Sequence, residues 1–309
     1  MSNRMPYIEK IKAIITGKSN PLAAGPRQFT FADWKHALLA TKNSLANKRL
    51  GVLAAGIAYF ATLAFFPLMA ASVAISSFFL DKDSLTNIIA GVQQYLPADI
   101  ASLVSTQLEQ ALSNQAANVL IAVISILISL FSISGATQNL ISAINAAYDV
   151  EESRKAIKLR LTSLALMGAG FLGALVVVAA LLANTSLLTS TGLPYWIAVT
   201  LSTLRWVLLA LVVVVLLAVV YRYAPNRSNP KWQWVSWGSV IASVLWMMVT
   251  VGFFVYARYF ASFSDTYSTF AGIIVLMTWL NLTAMTILLG AEVNNQLERQ
   301  SVLPKKSKK

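Results

Sequence analysis

The chain has 309 residues, 57% apolar and only 12% charged, where a soluble domain carries about 25% charged residues, so too few charges remain to coat a water-facing surface. Cysteine is absent and His36 is the single histidine, which excludes disulfides, thiolate metal sites and any His-rich metal centre. A formal net charge of +12 raises nucleic-acid binding as a candidate, to be decided by where the basic residues sit.

Residues 1–28 read as a flexible tail. Thr30-Phe31-Ala32-Asp33 has the form of a capping box, and Trp34, Leu38 and Leu45 with Lys35, Lys42, Lys48 and Arg49 predict a basic interfacial helix leading into the membrane. Six stretches reach the roughly 20 residues that a helix needs to cross hydrocarbon: about 52–80, 118–147, 161–183, 197–221, 237–258 and 269–291. Their long apolar runs lack the period-two alternation of barrel strands, so they are read as helices. The first run starts inside the chain and lacks a small-residue cleavage site, as a retained helix does. Between spans one and two, Leu85, Ile88, Ile89, Val92 and Leu96 repeat at helical spacing. Pro97 interrupts them, and Ile100, Leu103, Val104, Leu108 and Leu112 continue. That pattern predicts an outer amphipathic helical hairpin, packed on the bundle or lying on lipid headgroups. The expected fold class is an all-α membrane protein, a six-transmembrane-helix bundle. It divides into a basic N-terminal region over 1–50, a transmembrane domain over 51–299 and a basic tail over 300–309.

Lysine and arginine orient this bundle. Residues 1–50 hold nine, 149–160 four, 222–236 three and the segment after Glu292 five, twenty-one in all on one side of a six-span arrangement. The opposite loops hold Lys82 alone, while Arg205 and Arg258 fall inside or at the edge of spans. The positive-inside rule then places both termini in the cytoplasm. Because the basic residues are spread over four membrane-flanking segments, no nucleic-acid partner is expected.

Gly168-Ala169-Gly170-Phe171-Leu172-Gly173 matches a dinucleotide fingerprint, but it lies mid-span, with no strand-to-helix turn to present a pyrophosphate. Ala165, Ala169 and Gly173 instead repeat on one face, as helix packing in a membrane requires. Asp149, Glu151 and Glu152 form the one tight carboxylate cluster; beside four basic residues they read as a solvated, self-neutralising loop rather than a metal site. Intramembrane polar residues carry more weight, since a charge at the bilayer centre costs on the order of 3 kcal/mol even on the mildest scale. Arg205 in span four either snorkels outward or faces a polar cavity. Span two carries Ser125, Ser129, Ser132, Asn139 and Ser142 near one face, with Gln138 and Asn145 beside it, and span six carries Asn281 and Glu292. These are either interhelical hydrogen-bond contacts or the lining of a polar path. Between spans five and six, Arg258, Asp265 and Tyr267 form a polar crossing in which Arg258 and Asp265 suit an ion pair. The candidate path thus comprises Gln138, Asn139, Asn145, Arg205, Arg258, Asp265, Tyr267, Asn281 and Glu292.

Several stretches resemble the YihY/virulence factor BrkB family of bacterial inner-membrane proteins over about residues 30–299. They are Ala58-Tyr59-Phe60 with Phe65-Phe66-Pro67, Gly135 through Asn145 to Tyr148, Tyr221-Arg222-Tyr223-Ala224-Pro225-Asn226, Ser264-Asp265-Thr266-Tyr267-Ser268 and Leu289-Gly290-Ala291-Glu292-Val293-Asn294. Ala58 departs from the serine frequent in the family, and Ser268 from the usual glycine. The resemblance implies a six-span helical fold of undefined biochemical role, once labelled ribonuclease BN. No histidine pair, metal cluster or basic groove supports that label, so the chain is expected not to be an enzyme and to need no cofactor. Transport or lipid handling in the cell membrane is the leading expectation. The alternative is a non-transporting scaffold that binds an envelope partner through the outer hairpin. Membrane lipids are the expected contacts, with a second copy or an envelope protein as further partners.

Overall fold

The computed structural model of the protein describes residues 29–76, 82–93, 101–102, 104–106, 118–183, 185–227, 232–260 and 268–300, and every regular element among them is helical. α1 (Phe31–Asn47) opens on the expected capping box: the Thr30 amide donates to Asp33 Oδ2 at 2.8 Å, and the Asp33 amide is 3.4 Å from Thr30 Oγ1. The chain then turns at Arg49, whose φ of 51° is left-handed, and enters α2 (Leu50–Ser76). Pro67 lies inside α2, and membrane helices tolerate proline in general because neighbouring helices and side chains can re-satisfy a freed carbonyl.

The remaining elements are α3 (Lys82–Gln93), α4 (Asn118–Ala147), α5 (Ala156–Leu182), the short α6 (Thr185–Ser190), α7 (Tyr195–Tyr223), α8 (Trp232–Phe260) and α9 (Ser268–Gln300). Six of them, α2, α4, α5, α7, α8 and α9, are long and apolar enough to cross a membrane, in agreement with the six expected spans. Several outrun the apolar stretch that revealed them: α5 begins at Ala156, α8 at Trp232, and α9 continues to Gln300. Hydropathy marks the hydrocarbon-embedded portion, whereas the backbone hydrogen bonds of a helix continue into the polar interface. α6 carried no signal of its own.

In the outer hairpin, Gln93 Nε2 donates to the Ala101 carbonyl at 3.2 Å and to Ser105 Oγ at 2.9 Å, tying α3 to the helical residues 101–102 and 104–106. A Cβ added at Gly91 would lie 3.1 Å from Leu182 Cδ2, so this hairpin packs on the end of α5. The rest of its second half, the tails 1–28 and 301–309, and the crossing with Asp265 and Tyr267 lie outside the described residues.

The buried core gathers toward one end of the spans. Leu50 and Ala54 begin α2; Ile141, Ile144 and Ala147 end α4; Leu217 and Tyr221 end α7; and Leu288 and Ala291 lie late in α9. With Tyr148, Leu166, Ala224 and Ala242 they form one buried cluster at the end of the bundle that carries the basic segments. Small residues permit the close approach. Gly135 faces the Phe60 ring across α2 and α4, and Gly173 faces Leu216 across α5 and α7, so of the glycine-rich stretch Gly173 serves helix packing, while Gly168 and Gly170 have no neighbour within 4 Å of a Cβ position.

Candidate functional site

At the basic end, α4 closes in a Schellman motif: the Asp149 amide donates to Ala146 O at 3.2 Å and the Val150 amide to Asn145 O at 3.0 Å. The left-handed position of this motif, φ 51°, is held by Asp149 rather than glycine. Aspartate tolerates that conformation, and here its carboxylate is used. Lys48 Nζ donates to Asp149 Oδ2 at 2.8 Å, Asn295 Nδ2 to the same oxygen at 3.1 Å, and Arg299 also bridges to it. Burial tends to raise the Asp149 carboxyl, but the Lys48 hydrogen bond and charge, with Arg299 and Asn295, hold it below the usual range.

Lys48 is the hub. Its ammonium also donates at 2.9 Å to the Ala147 carbonyl, one of the orphaned acceptors at the end of α4, and at 2.8 Å to Glu292 Oε2. The Glu292 side chain is 0% exposed, and Gln296 Nε2 donates to its other oxygen at 2.6 Å. Lys48, expected on the basic interfacial helix, therefore lies one residue past the end of α1 and pairs within the bundle. The backbone turn at Arg49 aims it into the bundle.

A second knot adjoins the first. Buried Asn145 donates to Glu152 Oε2 at 2.9 Å and accepts the Asn226 amide at 2.8 Å, while Asn226 donates to the Glu151 carbonyl at 2.9 Å. Arg154 grips Glu152 through Nε at 2.8 Å and Nη2 at 2.5 Å, and Nη2 also donates to the Ala224 carbonyl at 2.8 Å. Arg227 pairs with Glu298 at 2.5 Å and lies 4.0 Å above the Tyr148 ring. Glu152 and Arg154 neutralise each other within their loop as expected, but Asp149 is neutralised by residues from α9 and from the turn after α1, which sequence proximity does not reveal.

The hydrogen bonds of Arg154, chiefly, pull the Glu152 carboxyl from 4.5 to about 2 against the opposing effect of burial. A folded value below the unfolded one means that stability from Glu152 is complete above the unfolded value and is lost as pH falls from about 4.5 toward 2. The melting temperature of the solubilised protein is expected to drop across that window. Glu152→Gln should melt earlier at neutral pH and show a flatter acid limb; an equally steep limb in the variant would assign the loss to other carboxylates.

Beside the second knot, a pocket of about 510 Å³ opens between the start of α5 and the end of α7. It is lined by Arg154, Lys158, Thr162, Ala165, Leu166, Val219, Arg222, Tyr223, Pro225, Asn226 and Arg227.

Of the nine residues proposed for a polar path, Asn145 and Glu292 take part in these knots. Arg205 lies toward the opposite end, donating from Nη1 to the Leu181 carbonyl at 3.3 Å in the last turn of α5, with its guanidinium 5.3 Å from the Trp206 ring. Gln138 is exposed and donates to Ser134, Asn139 donates to the Gly135 carbonyl beside Gly56, and Asn281 is partly buried. The Arg258 side chain, Asp265 and Tyr267 lie outside the described residues. Lys48, Arg154 and Arg227 carry no sequence signal of a site, because each lies at a membrane boundary where orientation alone explains a basic residue.

A family model described as virulence factor BrkB matches residues 42–309. The chain belongs to the virulence factor BrkB family. It is 32% identical over 260 residues, 81% of this chain and 90% of the relative, to YfkH of Bacillus subtilis, whose name describes it as ribonuclease-like. Local matches of 35% over 72 residues and 34% over 77 link it to UPF0761 membrane proteins of Tolumonas auensis and Vibrio cholerae, covering about a quarter of each chain. No solved structure matches it. In this BrkB-family membrane protein, the stretches ending at Tyr148, running from Tyr221 to Asn226 and running from Leu289 to Asn294 meet at the basic end. There the Tyr221 hydroxyl donates to Ile287 O at 2.8 Å, and Asn294 Oδ1 accepts the Gly238 amide at 2.8 Å.

Proposed function

We propose that this BrkB-family protein handles lipid, taking an amphiphile from the cytoplasmic leaflet of the cell membrane into the pocket between α5 and α7. The observation that carries this reading is where the pocket opens. Only 17% of the α5 span and 6% of the α7 span are buried, which supports sideways access by a bilayer component to the space between them. At about 510 Å³ it falls within the roughly 300–1,000 Å³ of small-molecule sites. The excess of basic residues at this end favours a cytoplasmic orientation. Asp149 and Glu152 are committed to ion pairs with Lys48, Arg299 and Arg154, which supports a non-catalytic role for that carboxylate cluster. The Ser129 hydroxyl and the Asn139 amide are turned onto the carbonyls of Ser125 and Gly135 in their own helix, which favours the lateral pocket over a route along that face.

The test is exchange of a headgroup-labelled phospholipid between leaflets of proteoliposomes. The full chain is expected to accelerate exchange over protein-free vesicles, and Ala165→Trp, which fills the pocket wall, to return it to the protein-free rate at unchanged protein abundance. Exchange at the protein-free rate, with an envelope phenotype that follows abundance across Arg205→Leu and Ala165→Trp, would establish the scaffold instead.

A further inference from the structure

Four cationic side chains and no carboxylate line the pocket. Arg154 is 7% exposed and held by Glu152, and Arg227 is 12% exposed, held by Glu298 and stacked on Tyr148. Lys158, exposed, stands in the first turn of α5, and Arg222, partly buried, stands in the last turn of α7 with its guanidinium 5.7 Å from the Tyr223 ring. Further along the same two helices the wall turns apolar, with Ala165 and Leu166 on α5 and Val219 on α7. From Lys158 to Leu166 the helix rises roughly 12 Å, so the pocket passes from the interface into the hydrocarbon layer.

We infer that this pocket seats the phosphate of an anionic phospholipid, with Lys158 and Arg222 binding the phosphate oxygens and Ala165, Leu166 and Val219 covering the first methylenes of an acyl chain. The inference rests on the lipid-handling reading and names its ligand class. Basic pockets between membrane helices on the cytoplasmic side suit anionic headgroups, because cation and anion meet where water is partly excluded and screening is weak. The guanidinium fork of Arg222 fits two phosphate oxygens, and Lys158 supplies an adaptable point charge. The start of α5 adds the positive end of a helix dipole and the end of α7 a negative one, so side-chain charge decides the preference. A soluble phosphate would use the mouth alone and leave the apolar wall wet.

Native mass spectrometry of the full chain released from detergent micelles tests this, with phosphatidylglycerol as probe, phosphatidylcholine as neutral control and inorganic phosphate as competitor. The chain is expected to retain phosphatidylglycerol over phosphatidylcholine. Lys158→Glu and Arg222→Gln should each weaken retention by roughly tenfold or more, as loss of a charge-assisted contact does, while Arg222→Lys restores most of it. Equal retention of both lipids, or indifference to both variants in folded protein, overturns the inference. Displacement by millimolar inorganic phosphate also overturns it and assigns the mouth to a soluble anion. Charge-dependent retention without leaflet exchange would uphold the site and refute the handling role, whereas exchange indifferent to Lys158→Glu and Arg222→Gln would do the reverse.

Discussion

Replacing Lys48 by methionine is expected to destabilise the protein by about 3–5 kcal/mol, the cost of stripping a buried carboxylate of its partner. Glu292 has no exposed side-chain surface and draws its countercharge from Lys48 at 2.8 Å, leaving Gln296 as a neutral donor. The same change removes the cation at the end of α4 and one of the partners of Asp149. The double variant Lys48→Met with Glu292→Leu should recover much of the loss, since an apolar pair of similar volume removes the desolvation penalty with the charge. Reversible unfolding in mixed micelles measures both. A single-variant loss below about 1 kcal/mol would mean that the pair behaves as an exposed surface bridge, and the buried hub would have to be abandoned.

Gly290→Ala is the second change expected to be severe. A Cβ at Gly290 would collide with the Tyr221 hydroxyl and the Ala242 Cβ and stand 3.0 Å from the Gly238 carbonyl oxygen, where backbone cannot step aside. Overpacking of this kind costs about 1–3 kcal/mol, and here it also presses on the Tyr221 to Ile287 hydrogen bond. Gly168 and Gly170 make the control, because a Cβ there meets nothing within 4 Å and alanine favours a helix by about 1 kcal/mol. Folded yield should fall for Gly290→Ala and hold or rise for Gly168→Ala. Equal behaviour would refute the close crossing of α7, α8 and α9.

The spans were legible because an apolar run of 20 or more residues has few other uses, and the capping box before α1 because its two bonds are local in sequence. The site was legible only in part. Glu292 and Asn145 stood out as polar groups beside apolar runs, but their partners did not: Lys48 lies 244 residues from Glu292, and Asn226 lies 81 from Asn145. Nothing in the spacing of charges specifies such a pairing, because each basic residue at a membrane boundary already has a sufficient reason to be there. A signal for the place does stand in the sequence, since Asp149 is an acid at the end of a span, where a helix terminus favours a cation, but beside four basic residues it reads as part of a self-neutralising loop. The pocket had no sequence signature, since its lining comes from the facing ends of α5 and α7 and the loops that join them to their neighbours.

The long reach of Lys48 bears on the order in which the protein is made. Lys48 is synthesised just ahead of the first span, whereas Glu292, Asn295 and Arg299 belong to the last helix. Five spans therefore enter the bilayer with the hub lysine still lacking its buried carboxylate, and with Asp149 short of two of its three side-chain partners. A chain interrupted anywhere before α9 keeps a lysine and an aspartate at the membrane edge without those countercharges, and with the core cluster short of Ala284, Leu288 and Ala291. α9 thus supplies the buried carboxylate for Lys48, two partners for Asp149 and the missing apolar packing in one step.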